Sequence, residues 1–150
     1  KPYTVSVEID LPRERVLELF LDPANLPHWQ TGLQSIEPLS GVPGQEGAQT
    51  KLVFQNGKQR IELIETITKR ALPDEIQGVY AWAGGRNTLV NRFIPLGRDA
   101  TRWESTCAYS FTHPMLRIMG ALAPRVFRRQ NQRFLDNFKA FAERRVASES

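Results

Sequence analysis

Reactive side chains are scarce in this chain, which has one cysteine, Cys107, and two histidines, His28 and His113, among 150 residues. A lone thiol forms no internal disulfide and no cysteine-rich metal site, and it fits a reducing compartment. The two histidines lie far apart and belong to no metal-binding spacing, so neither a metal nor another cofactor is expected. His28, beside Trp29, and His113, before Pro114, read as surface or capping residues. Inward carboxylates are scarce too. Glu62 and Glu104 fall on outer strand faces, and Glu65 sits where the alternation blurs around Leu63 and Ile64, so no pair of acids for general acid–base work emerges. Cys107 alternates into a strand interior with no basic neighbour and reads as a small buried hydrophobe, which disfavours a nucleophilic enzyme. Long apolar runs are absent as well: no stretch of about 18 apolar residues exists to span a bilayer. Lys1 to Asp10 alternates in strand fashion and lacks a signal peptide's apolar block, so the expected location is cytoplasmic. The chain begins at Lys1 and not at an initiator Met, which leaves an upstream targeting segment open.

What is present is enough for one domain over residues 1–150, since 41% of the chain is hydrophobic and the length allows a sizeable core. Charge is unevenly spread. Residues 1–84 carry eight basic and eleven acidic side chains, whereas 85–150 carry twelve and five. Arg125, Arg128, Arg129 and Lys139 fall opposite an apolar helical stripe, where charges solubilise an amphipathic helix. A transient contact with anionic membrane is a secondary expectation. Nucleic acid is not expected as a partner, because no exposed aromatics interleave with the arginines for base stacking.

The order of elements follows from periodicity. Tyr3, Val5, Val7 and Ile9 share one face of a first strand, and Asp10 is placed to cap a short helix to about Leu21, with Val16, Leu17, Leu19 and Phe20 inward. The prolines of Asp22-Pro23-Ala24-Asn25-Leu26-Pro27-His28-Trp29 restrict that segment to a second short helical turn projecting Leu26 and Trp29. From Leu33 to Phe111, turn residues at Gly41 to Gly47, Asn56-Gly57, Leu72-Pro73-Asp74, Gly84-Gly85 and Gly97-Arg98-Asp99 divide an alternating pattern into six strands. Connections this short imply an antiparallel meander. Parity turns Leu52, Phe54, Ile61, Leu63, Trp103, Ser105, Cys107, Tyr109 and Phe111 inward, puts Tyr80 and Trp82 on one face, and makes Asn91 a polar residue facing inside. Arg86 and Arg92 share the opposite, solvent-facing parity.

Between Pro114 and Arg145 a long amphipathic helix is expected, with Ala123, Phe127, Phe134, Phe138 and Phe141 on its buried face and a kink or fresh start between Gly120 and Pro124. Gln130 and Asn131 interrupt that face. Burying an unsatisfied amide costs roughly 1–3 kcal/mol, so Asn131 implies either a wet or ligand-filled hollow beneath the helix or an edge where the amide is solvated or bonded to backbone.

This order, carried by "VSVEIDLPRERVLELFLDPANLPHW", the glycine loop "GVPGQEGAQTKLVF", the late hairpin "RFIPLGRDATRWEST" and the closing "NQRFLDNFKAF", resembles the START-like helix-grip (SRPBCC) superfamily, in particular its polyketide cyclase/dehydrase and lipid-transport group. The resemblance implies an α+β helix-grip fold, in which a curved antiparallel sheet of about seven strands (β-α-α-β6-α) wraps the C-terminal helix. It also implies an elongated cavity between sheet and helix for a small hydrophobic molecule such as a lipid, quinone or polyketide-like compound. The glycine loop, which lacks the Lys-Ser/Thr pair and following helix of a phosphate loop, then reads as a gate to that cavity. Trp29, Phe54, Tyr80, Trp82, Trp103, Tyr109, Phe127, Phe134 and Phe138 are expected as its walls, with Asn91, Asn131 and the Tyr109 hydroxyl orienting a polar ligand group. A cyclase-like enzyme using Tyr109 or Asn131, and a membrane-docking lipid-transfer module, are the alternative readings. Oligomeric state is left open.

Overall fold

A computed structural model describes residues 1–114, 118 and 124–150. Its elements are β1 (Tyr3–Ile9), α1 (Arg13–Leu21), a 3-10 turn (Pro23–Asn25), α2 (Leu26–Trp29), β2 (Leu33–Ser40), β3 (Gln49–Asn56), β4 (Gln59–Ala71), β5 (Glu75–Trp82), β6 (Gly85–Pro95), β7 (Thr101–Phe111) and α3 (Pro124–Ser148). The strands form one curved antiparallel sheet in the order β1-β7-β6-β5-β4-β3-β2. β2 to β7 run as the expected meander. β1 closes the other edge on β7, because the α1–α2 segment carries the chain across the sheet before β2 begins. The β5–β6 turn depends on glycine: a Cβ on Gly85 would stand 2.2 Å from the Ser110 carbonyl oxygen, so any side chain there would push β6 off β7.

The closed core lies at one end of the grip. Val5 and Ile9 of β1, Val16, Leu17 and Leu19 of α1, Phe93 and Trp103 of the sheet, and Leu135, Phe138, Phe141 and Ala142 of α3 are all buried together. Phe20 knits them, meeting Phe93 edge-on at 5.1 Å, Trp103 at 5.2 Å and Phe138 at 6.0 Å between ring centres. The C-terminal half of α3 is thus sealed to the core, and its N-terminal half projects over the middle of the sheet. Arg125, Arg128 and Arg129 are exposed on the outside of that half. Arg128 lies over the Tyr3 ring, and Lys139 pairs with Glu143 at 2.7 Å. Among the described residues, no helix is long and apolar enough to cross a membrane.

Three expectations are corrected. Asp10 does not cap α1: the helix starts behind Pro12 with no side-chain cap, and the Asp10 amide donates to Glu143 Oε2 at 2.8 Å, tying the end of β1 to α3. Asp22 is the residue that caps, accepting from the Ala24 amide at 3.0 Å. Val53 is buried along with Leu52 and Phe54, so β3 does not alternate cleanly. The helix also runs three residues past Arg145, to Ser148. Ala123 and the Gly120 side of the expected kink lie outside the described residues.

Candidate functional site

Beneath the N-terminal half of α3 a half-open cavity of about 260 Å³ lies between the sheet and the helix. Its roof is Phe127, Gln130, Asn131, Phe134 and Leu135, and its floor is the concave face of the sheet. The roof spacing follows the helical repeat, so Phe127, Asn131, Phe134 and Leu135 point to one side. Phe127 stacks on Tyr109 at 4.8 Å and Phe134 on Phe54 at 6.4 Å, pinning the roof to opposite sides of the floor. Trp29 enters from α2, whose end is held to α3 by Asn137 Nδ2 donating to the Trp29 carbonyl at 3.3 Å.

The structure gathers Trp29, Phe54, Tyr80, Trp82, Asn91, Trp103, Tyr109, Phe127, Asn131 and Phe134 around this space. Phe138 is not among them. It is fully enclosed, edge-on to Trp29 and Trp103 at 5.3 Å each, and belongs to the closed core one turn beyond the cavity. Ile61 has the expected inward parity but stands at the rim, 36% exposed. Lining residues that the sequence reading passed over include Phe20, Asn87 and Leu89. Asn87 shares strand parity with Asn91, which was the available signal.

Polar groups form a band across the concave face of the sheet. Glu65, Tyr80, Asn87 and Tyr109 are directly opposed on β4, β5, β6 and β7. Tyr80 donates its hydroxyl proton to Glu65 Oε2 at 2.5 Å. Asn131 Nδ2 donates to the Tyr109 hydroxyl at 3.0 Å and to the Tyr3 hydroxyl, so the amide that breaks the helix stripe is bonded to two phenols and not to backbone. Trp103 Nε1 donates to Asn91 Oδ1 at 3.0 Å. Among the described residues, two buried side-chain polar atoms have no protein partner: Trp29 Nε1, a donor, and Asn87 Oδ1, an acceptor. Both residues line the cavity, at 5% and 7% exposure.

Burial holds every acid here in its neutral form more firmly than water would. It pushes Tyr80, Tyr109 and Tyr3 up, Tyr80 further by the nearby Glu65 and Tyr3 further by its bond with Tyr109. The Glu65 carboxyl is likewise raised by burial, against the opposing effect of the Tyr80 hydrogen bond. Cys107, fully buried, has its thiol pushed up by burial and sits as the small apolar filler its parity suggested. His28 stacks flat on Phe141 at 5.0 Å, away from the cavity. Among the described residues no cluster of three or more His, Cys, Asp or Glu is placed to hold a metal ion.

A smaller space of about 160 Å³ adjoins the first and shares Phe20, Trp29, Gln30, Tyr80 and Asn91 as a common wall. Glu65 lines it, which resolves the blurred parity at this position of β4 in favour of an inward carboxyl. The Gly41–Gly47 loop contributes Pro43 and Gly44 to its mouth. The loop is fastened to β4: the Arg70 guanidinium donates to the Gly44 carbonyl at 2.5 Å, and the Arg70 amide donates to Glu46 Oε1 at 2.8 Å.

The fold has solved relatives of similar length. An aromatase/cyclase, Zhui, from Streptomyces sp. R1128 superposes with a TM-score of 0.79 at 16% identity, covering 97% of this chain and 95% of its own. A protein of Thermus thermophilus gives 0.72 at 20% identity, covering 100% and 99%. Norcoclaurine synthase from Thalictrum flavum, in complex with dopamine and hydroxybenzaldehyde, gives 0.69 at 14% identity, covering 96% and 87%. No curated protein sequence matches the chain significantly. The model of the polyketide cyclase / dehydrase and lipid transport family matches residues 3–143, nearly the whole length over which sheet, cavity and helix are built, and the chain belongs to that family.

Proposed function

We propose that the protein binds a compact, mainly apolar ring compound carrying both a hydrogen-bond acceptor and a donor, held between α3 and the sheet. The observation that carries this reading is the pair of orphaned atoms, Trp29 Nε1 and Asn87 Oδ1, in the lining of an otherwise aromatic hollow. Each costs about 1–3 kcal/mol if nothing meets it, an expense a guest would remove. Size narrows the class. A dry cavity of about 150 Å³ accepts benzene, so 260 Å³ suits roughly two fused rings better than a long acyl chain. The complex of norcoclaurine synthase with two small aromatic molecules agrees with a guest of this kind in this fold.

All three tryptophans of the chain line the cavity, so intrinsic fluorescence reads its occupancy directly. Titration with 2-naphthol is expected to quench that fluorescence saturably. Leu89→Trp, which fills the floor, is expected to abolish the saturable phase in the remaining signal while the protein stays folded by circular dichroism. Equal saturable binding to both proteins would place the guest elsewhere and defeat the reading. Native mass spectrometry of protein purified from its own host would identify a natural guest by mass.

A further inference from the structure

We propose that the smaller cavity is a second subsite, in which the Glu65 carboxyl donates a hydrogen bond to a carbonyl oxygen at one end of the guest. The inference rests on the reading that the larger cavity binds the guest's rings.

Three observations support it. The two spaces have Phe20, Trp29, Gln30, Tyr80 and Asn91 in common, so they are direct neighbours, and a guest spanning both would pass Tyr80 and Asn91. Glu65 is the only carboxyl among the described residues lining the smaller space, and its two oxygens are differently engaged: Oε2 accepts the Tyr80 hydroxyl. In a neutral carboxyl the carbonyl oxygen is the stronger acceptor, so with Oε2 taken by the Tyr80 hydroxyl the proton is favoured on Oε1, where it is available as a donor. Burial favours this neutral form. A donor in an apolar recess selects a neutral acceptor, and a carbonyl is the most compact one. An anionic guest group would have to enter the same low-dielectric space with no cation among its described lining residues.

The surroundings leave Glu65 as the group that titrates. Tyr80 on β5 is the other titratable side chain in the described lining, and it is held neutral further above its ordinary range. Thr50 faces Glu65 from β3, and α1 and α2 present only apolar side chains around Phe20 and Trp29. The charged residues at the mouth, Glu46 and Arg70, are bonded to backbone as described above. Lys51 pairs with Glu62 at 3.0 Å, on the face of the sheet opposite Glu65.

The test uses a matched pair of probes, 2-acetylnaphthalene and 2-ethylnaphthalene, which differ in the carbonyl. Tryptophan quenching gives the two dissociation constants between about pH 5 and about pH 9, the span in which a buried carboxyl titrates. The expected result is a preference for the ketone of roughly fivefold at low pH. That preference falls toward parity, about fivefold in all, as pH rises through the Glu65 titration and the neutral form is depleted. Glu65→Gln retains an N–H donor and is expected to keep the preference but lose its pH dependence. Glu65→Leu is expected to lose the preference and still bind the hydrocarbon. Retention of a pH-dependent ketone preference in Glu65→Leu would overturn the subsite, as would equal affinity for both probes in the unmodified protein. In both cases the larger cavity's role survives. Binding of neither probe would overturn that role, and the subsite with it.

Discussion

Replacing Asn87 by leucine separates a binding site from a structural core, because the two accounts give opposite signs. The side chains have the same number of heavy atoms and the same branching, so the substitution changes polarity far more than shape. Asn87 is 7% exposed, its Oδ1 meets no protein donor, and its other amide contact is the weakly accepting Cys107 sulfur. Leaving a buried acceptor unmet costs about 1–3 kcal/mol, and losing a bond to sulfur returns a part of that. The net expectation for the guest-free protein is a gain of about 1 kcal/mol. For a chain of this length that is a rise in Tm of roughly 2–4 °C. The urea midpoint should move in step with an unchanged m value. Affinity should move the other way: binding of 2-naphthol should weaken about tenfold, while naphthalene, which has no hydroxyl to offer Oδ1, should bind as before. Greater stability with poorer selectivity is the signature of a polar group kept for a guest. A destabilised Asn87→Leu protein with unchanged preference for the naphthol would mean that Oδ1 is satisfied within the empty molecule and is not kept for a guest.

Other substitutions follow from the same geometry. Asn131→Ala removes the donor shared by the Tyr3 and Tyr109 hydroxyls and is expected to cost about 1–3 kcal/mol in urea unfolding. Phe138→Ala, in the fully closed core, is expected to cost about 3–5 kcal/mol and to leave the ketone preference intact at temperatures where the variant is folded. Glu65→Gln should flatten a pH-dependent part of the stability. The folded state holds this proton more tightly than the unfolded chain, so stability in the unmodified protein declines as pH rises from the ordinary carboxylate range through the raised Glu65 value. Cys107, fully buried with a raised pKa, should resist iodoacetamide in the native state and react once the chain is unfolded.

The fold was legible because its signals are local. Alternation in β1 and β7 and the glycine and proline turns between Leu33 and Phe111 specify hairpins without reference to the rest of the chain. Parity also located most of the cavity lining, since a concave sheet face and one face of α3 must meet. What the pattern does not carry is depth along the helix. Phe134 and Phe138 look alike in periodicity, yet α1 and α2 close over Phe138 and stop short of Phe134. The pattern leaves Glu65 undecided for another reason. The apolar pair Leu63 and Ile64 blurs the alternation of β4 just before it, and the partner that accompanies its carboxyl inside, Tyr80, lies on the next strand. The orphaned Trp29 nitrogen has no signature in sequence at all, because its isolation is a property of the assembled space.

The most direct measurement is the indole N–H spectrum during titration with 2-naphthol. The chain gives three indole signals, from Trp29, Trp82 and Trp103. A saturable shift of the Trp29 signal is expected as its unbonded Nε1 gains an acceptor. Trp103, already bonded to Asn91, should change less. An unchanged Trp29 resonance up to the solubility limit of the naphthol would contradict the claim that this hollow receives a guest.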